Sequence, residues 1–349
     1  MSERVGILTG GGDCPGLNAV IRAVVRKAID SYDYEVIGFI GGWRGILDMD
    51  YDVLDRNKTS GILHRGGTII KTSRTNPLKE QDGIKKIRES FKKLELSGLI
   101  AVGGEDTLGV ALILHEGGLP VVGVPKTIDN DLSGTDYTFG YDTAVNTAME
   151  AIDRVHTTAE AHNRVMVVEV MGRHTGWIAL AAGLAGGADV ILIPEKPFDI
   201  DNICQIIKKR HGSGRDFSIV VVAEGAKFKP GHEGEGQMIL RKREIDAFGH
   251  VYLGGIGNVV ADEIEKRTGY ESRVVILGHI QRGGSPTAFD RVLATRYGIA
   301  AIDMVHNKDF GKMAALRGNN IVPIPLSEAV KGLKFVSEDL YQVAEIFFG

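Results

Sequence analysis

The stretch Pro125-Lys126-Thr127-Ile128-Asp129-Asn130-Asp131 directly follows an apolar run, Leu119 to Val124, that predicts a buried strand. A second apolar run, at 99–102, ends in the polar segment Gly-Gly-Glu-Asp-Thr at 103–107. The carboxyl ends of neighbouring parallel strands meet at one edge of a sheet, so these carboxylates and one ammonium are expected to lie together there. The two segments therefore predict an open α/β sheet with a ligand site at this edge.

Glycine turns between an apolar strand and a helix occur elsewhere in the chain. A turn at 10–16 follows an apolar run at 4–9 and precedes helical periodicity at 17–31. Further turns at 172–176 and 278–286 also follow apolar runs and precede helices. This recurrence predicts an α/β protein of two similar Rossmann-like lobes, with mainly parallel sheets flanked by helices and the active site in the cleft between the lobes.

Composition excludes several classes of protein. The 349 residues carry a net charge of -4, which gives no overall attraction to nucleic acid or to an anionic membrane. No apolar run approaches the roughly 18 residues of a membrane span. The two cysteines, Cys14 and Cys204, have neither disulfide-framework nor zinc-site spacing. We therefore expect a cytoplasmic protein whose partners are small molecules.

The first glycine turn is suited to bind an anion. Glycines expose backbone N–H groups at the start of a helix, where the helix dipole favours negative charge. The turn lacks the Gly-Lys-Ser/Thr end of a Walker loop. The run at 34–42 also lacks the acid that a dinucleotide-binding fold would place after its second strand, which disfavours an NAD-dependent oxidoreductase. A simple tight connection remains the structural alternative for this turn.

The polar residues near the strand ends suit phosphoryl transfer, in which cations and amides hold phosphates while carboxylates bind magnesium and accept a proton. One such residue alone is more often a surface ion-pair partner or a helix cap, so the prediction depends on their convergence. A G-x-S-x-G elbow is absent from the sequence, and His174 and His279 have no second histidine at metal spacing, which disfavours hydrolases and metalloenzymes. The polar residues near the strand ends that carry this prediction are the acids Glu105, Asp106, Asp129, Asp131 and Glu224 and the cations Lys126, Arg164, Arg173, Arg273 and Arg282.

Several motifs, taken in order, resemble the bacterial 6-phosphofructokinase family across most of the chain. They are Leu-Thr-Gly-Gly-Gly-Asp at 8–13, Arg-Gly-Gly-Thr at 65–68, Pro-Lys-Thr-Ile-Asp-Asn-Asp at 125–131, Val-Met-Gly-Arg at 170–173 and Gly-His-Ile-Gln-Arg-Gly-Gly-Ser-Pro at 278–286. The resemblance implies transfer of a phosphoryl group to O1 of fructose 6-phosphate, with Mg2+ as cofactor. It also implies a homo-oligomer, dimer or tetramer, whose active sites are shared across a subunit interface.

The resemblance also implies residue roles. Asp129 corresponds to the base for the sugar 1-hydroxyl, Thr127 lies beside it, and Glu105 stands where the family has its magnesium-binding aspartate. Arg164 and Arg273 correspond to arginines that reach the sugar phosphate across the subunit interface. The remaining correspondences are fructose 6-phosphate contacts at Met171, Gly172, Arg173, Glu224, His279 and Arg282, and phosphoryl-donor contacts at Gly11, Gly12 and Arg74.

Two departures from the ATP-using pattern concern the donor. Asp106 and Lys126 stand where ATP-using members have glycines, and the pair resembles the diphosphate-dependent and mixed-substrate branch. A carboxylate at position 106 would repel the α-phosphate of a nucleotide, and like-charge contacts of this kind cost several kcal/mol. We therefore predict a diphosphate-dependent fructose-6-phosphate 1-phosphotransferase.

Alternative functions and a domain division complete these expectations. The runner-up is an ATP-dependent 6-phosphofructokinase, and a non-catalytic regulatory subunit is disfavoured by the intact Asp129, Thr127 and Arg173. We predict a donor lobe at 1–140 plus about 281–310, a fructose 6-phosphate lobe at 141–280 and a C-terminal extension at 311–349.

Overall fold

The structure is a computed structural model that describes residues 2–229, 240–245, 247–249 and 251–349. Strands and helices alternate along most of this length. The strands are β1 Arg4–Thr9, β2 Glu35–Phe39, β3 Tyr51–Leu54, β4 Leu96–Gly103, β5 Val121–Pro125, β6 Val165–Val170, β7 Val190–Leu192, β8 Ser218–Ala223, β9 Leu240–Ile245, β10 Val251–Leu253, β11 Ser272–Ile276, β12 Lys312–Arg317 and β13 Asn320–Pro325.

The helices mostly connect one parallel strand to the next. A short 3-10 helix, Gly278–Arg282, follows β11. The α-helices are α1 Leu17–Tyr32, α2 Trp43–Asp48, α3 Gly83–Leu94, α4 Glu105–Glu116, α5 Tyr141–His162, α6 Trp177–Ala185, α7 Ile200–Gly212, α8 Ile256–Thr268, α9 Ala288–His306, α10 Leu326–Ala329 and α11 Glu338–Glu345.

The contacts divide the chain into two compact units, each with its own sheet. Unit 1 comprises Met1–Thr143, Asp246–His250 and Arg282–Leu333, and unit 2 comprises Ala144–Ile245, Val251–Gln281 and Lys334–Gly349. The predicted extension at 311–349 does not form a separate body among the described residues. Its first part joins unit 1 and its last sixteen residues, 334–349, join unit 2.

Unit 1 is built on a seven-stranded sheet with the order β13-β12-β5-β4-β1-β2-β3. The five inner strands run parallel, while the edge strands β3 and β13 are antiparallel to their neighbours. Strands β1, β4 and β5 are buried along nearly their whole length, as expected for strands covered by helices on both faces. The loops after these three strands therefore lie side by side at one edge.

Helices α1 and α9 pack closely against each other in unit 1. Gly298 of α9 lies so near Val20 of α1 that a Cβ at position 298 would be 2.7 Å from the Val20 carbonyl oxygen. The absence of a side chain therefore allows the two backbones to approach. Thr287 caps α9 by accepting a hydrogen bond from the Asp290 N–H.

Unit 2 contains a four-stranded, fully parallel sheet with the order β11-β6-β8-β7. Strands β6 and β8 are buried at every residue, and valines dominate both. A small antiparallel pair, β9 with β10, accompanies this sheet. Two α/β units with mainly parallel sheets confirm the predicted fold class. Within the described part of the chain, no helix is both long enough and apolar enough to cross a membrane.

Candidate active site

In unit 1 the first glycine turn is fixed between neighbouring loops. The Gly10 N–H donates to the Val102 carbonyl at 2.9 Å, and the Gly11 N–H donates to the Ser73 carbonyl at 3.2 Å. Thr72 Oγ1 donates to the Gly11 carbonyl at 2.7 Å, so the loop that carries Arg74 is tied directly to this turn. The structure thus brings three of the predicted donor contacts, Gly11, Gly12 and Arg74, into one neighbourhood of unit 1.

Lys126 lies against the glycine turn. It follows β5 and is only 4% exposed, and its Nζ donates to the Gly12 carbonyl at 2.5 Å. A Cβ on Gly11 would be 3.5 Å from the same Nζ, so the ammonium lies directly beside the backbone of the turn. Burial lowers the pKa of Lys126, and the nearby Arg282 charge acts in the same direction, while Asp129 opposes both.

Arg282 contributes a second positive charge to the same turn. A Cβ on Gly12 would overlap its guanidinium, and its Nη1 lies 3.4 Å from the Asp13 carbonyl as a hydrogen-bond donor. Glycine at position 12 is therefore what allows the guanidinium to lie over the loop. The sequence analysis assigned Arg282 to the sugar side, and the structure places it against the predicted donor loop.

The loop after β5 is held by a hydrogen-bond network. The Asp129 N–H donates to Thr127 Oγ1 at 3.1 Å, and Thr138 Oγ1 donates to the Thr127 carbonyl at 2.7 Å. Asn130 adopts a left-handed conformation with φ of 50°, and its side-chain oxygen accepts the Thr138 N–H at 3.1 Å. Thr127 and Asp129 therefore stand on a fixed turn.

Asp131, which the sequence analysis left without a role, is the most strongly perturbed carboxylate of this loop. Burial and, to a smaller extent, the negative charges of Asp129 and Glu105 together raise the pKa of Asp131 to about 7, while a hydrogen bond from Thr127 opposes the shift. The carboxylates of Asp131, Asp129 and Glu105 are therefore close enough to repel one another. Such mutual repulsion is relieved by protonation or by a bound cation.

Glu105 and Asp106 occupy the first turn of α4, which begins after Gly104. The partial positive charge at a helix N-terminus favours carboxylates there. No group of three or more His, Cys, Asp or Glu side chains in the described ranges is arranged to hold a metal ion alone. Mg2+ keeps several waters and commonly uses one or two carboxylates with substrate phosphates, so the hard oxygen donors here fit this ion.

In unit 2 the ends of β6 and β8 approach each other. The Glu224 N–H donates to the Val170 carbonyl at 2.9 Å, and the Gly225 N–H donates to the Gly172 carbonyl at 3.0 Å. A side chain at position 225 would overlap the Arg173 carbonyl. The predicted sugar-phosphate contacts Met171, Gly172, Arg173 and Glu224 therefore meet at one edge of the unit 2 sheet.

The 3-10 turn after β11 is connected to this edge by Gln281, a residue to which the sequence analysis gave no role. Gln281 is fully buried, its Oε1 accepts the Met171 N–H at 3.4 Å, and its Nε2 donates to the Gly278 carbonyl at 3.1 Å. His279 lies within the turn that Gln281 holds. The glutamine thus links the loop of His279 to the end of β6.

Arg164 and Arg273 lie at the opposite edge of the same sheet. Arg164 precedes β6 and Arg273 is the second residue of β11, whereas Arg173 and His279 follow those strands. Six strand residues span about 20 Å. The two arginines are thus about one strand length away from the edge of their own unit that carries the predicted sugar-phosphate contacts. Both pair with Glu271, and the hydrogen bond from Arg164 holds the pKa of Glu271 below its usual range.

The chain is similar to known phosphofructokinases over nearly its full length. Residues 4–305 match the phosphofructokinase family. A Streptomyces coelicolor protein named pyrophosphate--fructose 6-phosphate 1-phosphotransferase is 58% identical over 99% of this chain and 100% of its own length. ATP-dependent 6-phosphofructokinase 2 of the same organism is 54% identical over 99% and 100%. Phosphofructokinase from Pichia pastoris superposes with a TM-score of 0.84 at 31% identity, covering 99% of this chain and 36% of the yeast chain.

Proposed function

The chain belongs to the phosphofructokinase family, and on this premise we propose that it transfers a phosphoryl group from diphosphate to O1 of fructose 6-phosphate, releasing phosphate and fructose 1,6-bisphosphate. The observation that carries the donor assignment is the buried Lys126 ammonium beside the glycine turn, together with Asp106 in the first turn of α4. The reaction is reversible because the donor and product phosphates are close in energy.

Asp129 acts as the base for the sugar 1-hydroxyl. The backbone of Asp129 is fixed by its hydrogen bond to Thr127, and that of Thr127 by Thr138. A carboxylate held in this way can accept the hydroxyl proton as the oxygen attacks the terminal phosphorus of diphosphate. Thr127 offers a hydroxyl on the same turn that positions the sugar.

Lys126, Arg282 and the amide of Gly12 hold the diphosphate, and the Gly11 backbone lies beside it in the same turn. Phosphoryl transfer depends mainly on positioning and on stabilising spread negative charge, and cations fixed beside backbone N–H groups do both. Arg74 adds a guanidinium from a loop that is hydrogen-bonded to the turn. The leaving group is inorganic phosphate, whose added charge Lys126 neutralises.

Glu105 is the residue that we assign to Mg2+. A bound magnesium ion would neutralise the phosphate oxygens during transfer. The repulsion that Asp131 experiences from Glu105 and Asp129 supports a cation there. Glu105 replaces the family's aspartate, and its longer side chain reaches out from the first turn of α4, where it is exposed.

The sugar phosphate is bound by the edge of unit 2 that carries Met171, Gly172, Arg173 and Glu224, with His279 from the turn that Gln281 holds. Arg164 and Arg273 serve a second copy of the chain. Their position at the other edge of the sheet supports this assignment, since they are about one strand length from the sugar-phosphate edge of their own unit. A homo-oligomer follows from the proposal, and we assign it to the cytoplasm, where both buried cysteines remain reduced.

ATP is the alternative donor, favoured by the 54% identity to an ATP-dependent relative. Asp106 opposes ATP because its carboxylate would face the α-phosphate. A cost of about 3 kcal/mol from such repulsion lowers the rate or affinity by more than about a hundredfold.

The donor assignment is tested by substituting Asp106→Gly and Lys126→Gly, singly and together. We expect each variant to lose at least about tenfold in kcat/KM for diphosphate, since about 1.4 kcal/mol of lost transition-state stabilisation is enough. Glu116→Gln, at the far end of α4, is the matched control. Unchanged diphosphate kinetics in both single variants would contradict the assignment.

A further inference from the structure

Glu271 joins two arginines from different parts of the sheet, one just before β6 and one in β11. Its Oε1 accepts a hydrogen bond from Arg164 Nη2 at 2.8 Å and another from Arg273 Nη2. The backbone supports this arrangement, because the Val165 N–H donates to the Glu271 carbonyl at 3.0 Å and β6 pairs with β11 in parallel. One carboxylate oxygen therefore holds two guanidiniums at the same corner of the sheet.

The two guanidiniums keep donors for a further acceptor. Each arginine has five N–H donors. Arg273 Nη1 donates to the Ser272 carbonyl at 2.8 Å, while Arg164 Nε is buried and has no hydrogen-bond partner among the described residues. The group of three side chains carries one net positive charge. Paired guanidiniums suit an anion with several oxygens, such as a phosphate monoester.

We propose that Glu271 is a positioning residue that orders Arg164 and Arg273 as a pair for the phosphate group of fructose 6-phosphate. This inference rests on the proposed function, in which these arginines bind that phosphate in a second copy of the chain. Without Glu271 the two guanidiniums would lose the acceptor that they share, and the phosphate would have to order them as a pair on binding.

The carboxylate has two effects of opposite sign on phosphate affinity. Ordering the arginines strengthens binding, whereas the negative charge of Glu271 repels the phosphate. The ordering effect is the larger one, because arginine is among the side chains that lose most rotamer freedom, while water and salt screen an exposed charge. Replacing Glu271 by glutamine removes the negative charge and keeps the shape of the side chain. Affinity for the phosphate should fall if ordering is the larger effect and rise if repulsion is the larger one.

The test compares Glu271→Gln with Glu265→Gln. Glu265 is a matched control because it accepts the Ser272 N–H at 2.8 Å and lies 4.0 Å from Arg273 Nη1, yet it makes no ion pair with Arg164. We expect Glu271→Gln to raise KM for fructose 6-phosphate about fivefold while kcat at saturation changes less than about twofold. The control variant should change neither value by more than about twofold. A lower or unchanged KM in Glu271→Gln would overturn the proposal.

A double-mutant cycle shows whether Glu271 acts through the arginines. In an Arg164→Ala background, Glu271→Gln should raise KM by much less than it does in the wild type. Equal effects in both backgrounds would overturn the positioning role. Melting temperatures and size-exclusion profiles of all variants show whether folding and assembly are retained.

Direct binding separates this inference from the proposed function. Calorimetric titration with fructose 6-phosphate measures the dissociation constant without any donor. If diphosphate supports no turnover but Glu271→Gln still weakens fructose 6-phosphate binding about fivefold, the proposed donor is wrong and the role of Glu271 stands. If the wild type turns over diphosphate and both proteins bind the sugar phosphate equally, the role of Glu271 is wrong.

Discussion

At the residue scale, Lys126 combines a positive charge with almost complete burial. A buried ammonium loses its hydration and needs acceptors, and the structure supplies one in the Gly12 carbonyl. Its other N–H groups have no further hydrogen-bond acceptor among the described residues, so they can bind an anion above the glycine turn. An anionic donor would also raise the pKa of Lys126, which burial lowers. The lysine is therefore suited to a donor composed of phosphates alone.

The raised pKa of Asp131 predicts a pH-dependent stability. The pKa of this carboxyl rises from about 3.9 in the unfolded chain to about 7 in the folded one. The protonated carboxyl therefore contributes its full stabilisation of the fold at a pH below about 3.9. That contribution is lost as the pH rises through about 7. We expect Asp131→Asn to flatten this loss, so that at about pH 8 the variant melts at least about 2 °C above the wild type.

Melting curves between about pH 5 and about pH 8 measure this effect. Asp48→Asn is the control, since Asp48 is an exposed carboxylate at the end of α2. Added Mg2+ should also reduce the wild-type loss at high pH if the ion neutralises the neighbouring carboxylates. Parallel melting profiles for wild type and Asp131→Asn would refute the burial of this charge.

At the element scale, the turn after β8 depends on a close backbone approach. Gly225 leaves no room for a side chain because the Arg173 carbonyl occupies that space. We expect Gly225→Ala to force the ends of β6 and β8 apart, costing about 1–3 kcal/mol of stability. KM for fructose 6-phosphate should rise at least about tenfold, since small displacements of binding groups are costly.

Gly212→Ala provides the comparison for this substitution. Gly212 ends α7, and a Cβ there would meet open space, so the variant should keep wild-type stability and kinetics. Chemical denaturation and initial rates at varied fructose 6-phosphate measure both quantities. Wild-type KM in Gly225→Ala would show that the turn does not position Arg173.

The order of most elements could be predicted because local patterns determine them. The apolar runs before 125 and before 172 became β5 and β6, and the glycine turn at 10–16 opened α1 as expected. Strand β12 was missed, because its sequence, Lys-Met-Ala-Ala-Leu-Arg, lacks β-branched residues. Its pairing with β5 and β13 makes it a strand, and sequence patterns do not contain that tertiary context.

The site shows the same contrast between local pattern and tertiary contact. Lys126, Thr127 and Asp129 could be predicted as site residues from the sequence, because they directly follow an apolar run that predicts a strand. The role of Glu271 could not be predicted, because its two partners, Arg164 and Arg273, are more than a hundred residues apart in sequence. The residues around Glu271, Tyr-Glu-Ser-Arg at 270–273, carry no signal that distinguishes a positioning carboxylate from a solvated one.

At the scale of the whole molecule, the opposite strand edges of unit 2 predict complementation between subunits. The Asp129→Asn variant lacks the base, which lowers the rate by about 10²- to 10⁴-fold. The Arg164→Ala variant lacks an arginine that we assign to the neighbouring site. In a mixed oligomer some sites would combine an intact Asp129 with an intact Arg164. We expect co-expressed, doubly tagged assemblies to exceed either variant alone by at least about tenfold.

This complementation is measured on assemblies that are purified through both tags in succession. A mixture of the two variants expressed separately is the control, since its subunits have not co-assembled. Activity no higher than that of the better single variant would contradict the assignment of Arg164 to a second copy.

The donor comparison tests the central claim most directly. Purified protein is assayed with Mg2+ and fructose 6-phosphate, with either diphosphate or ATP as donor, and fructose 1,6-bisphosphate is measured. Lys126 beside the glycine turn and Asp106 in α4 predict a kcat/KM for diphosphate that exceeds the value for ATP by at least about a hundredfold. Vigorous turnover with ATP and none with diphosphate would contradict it.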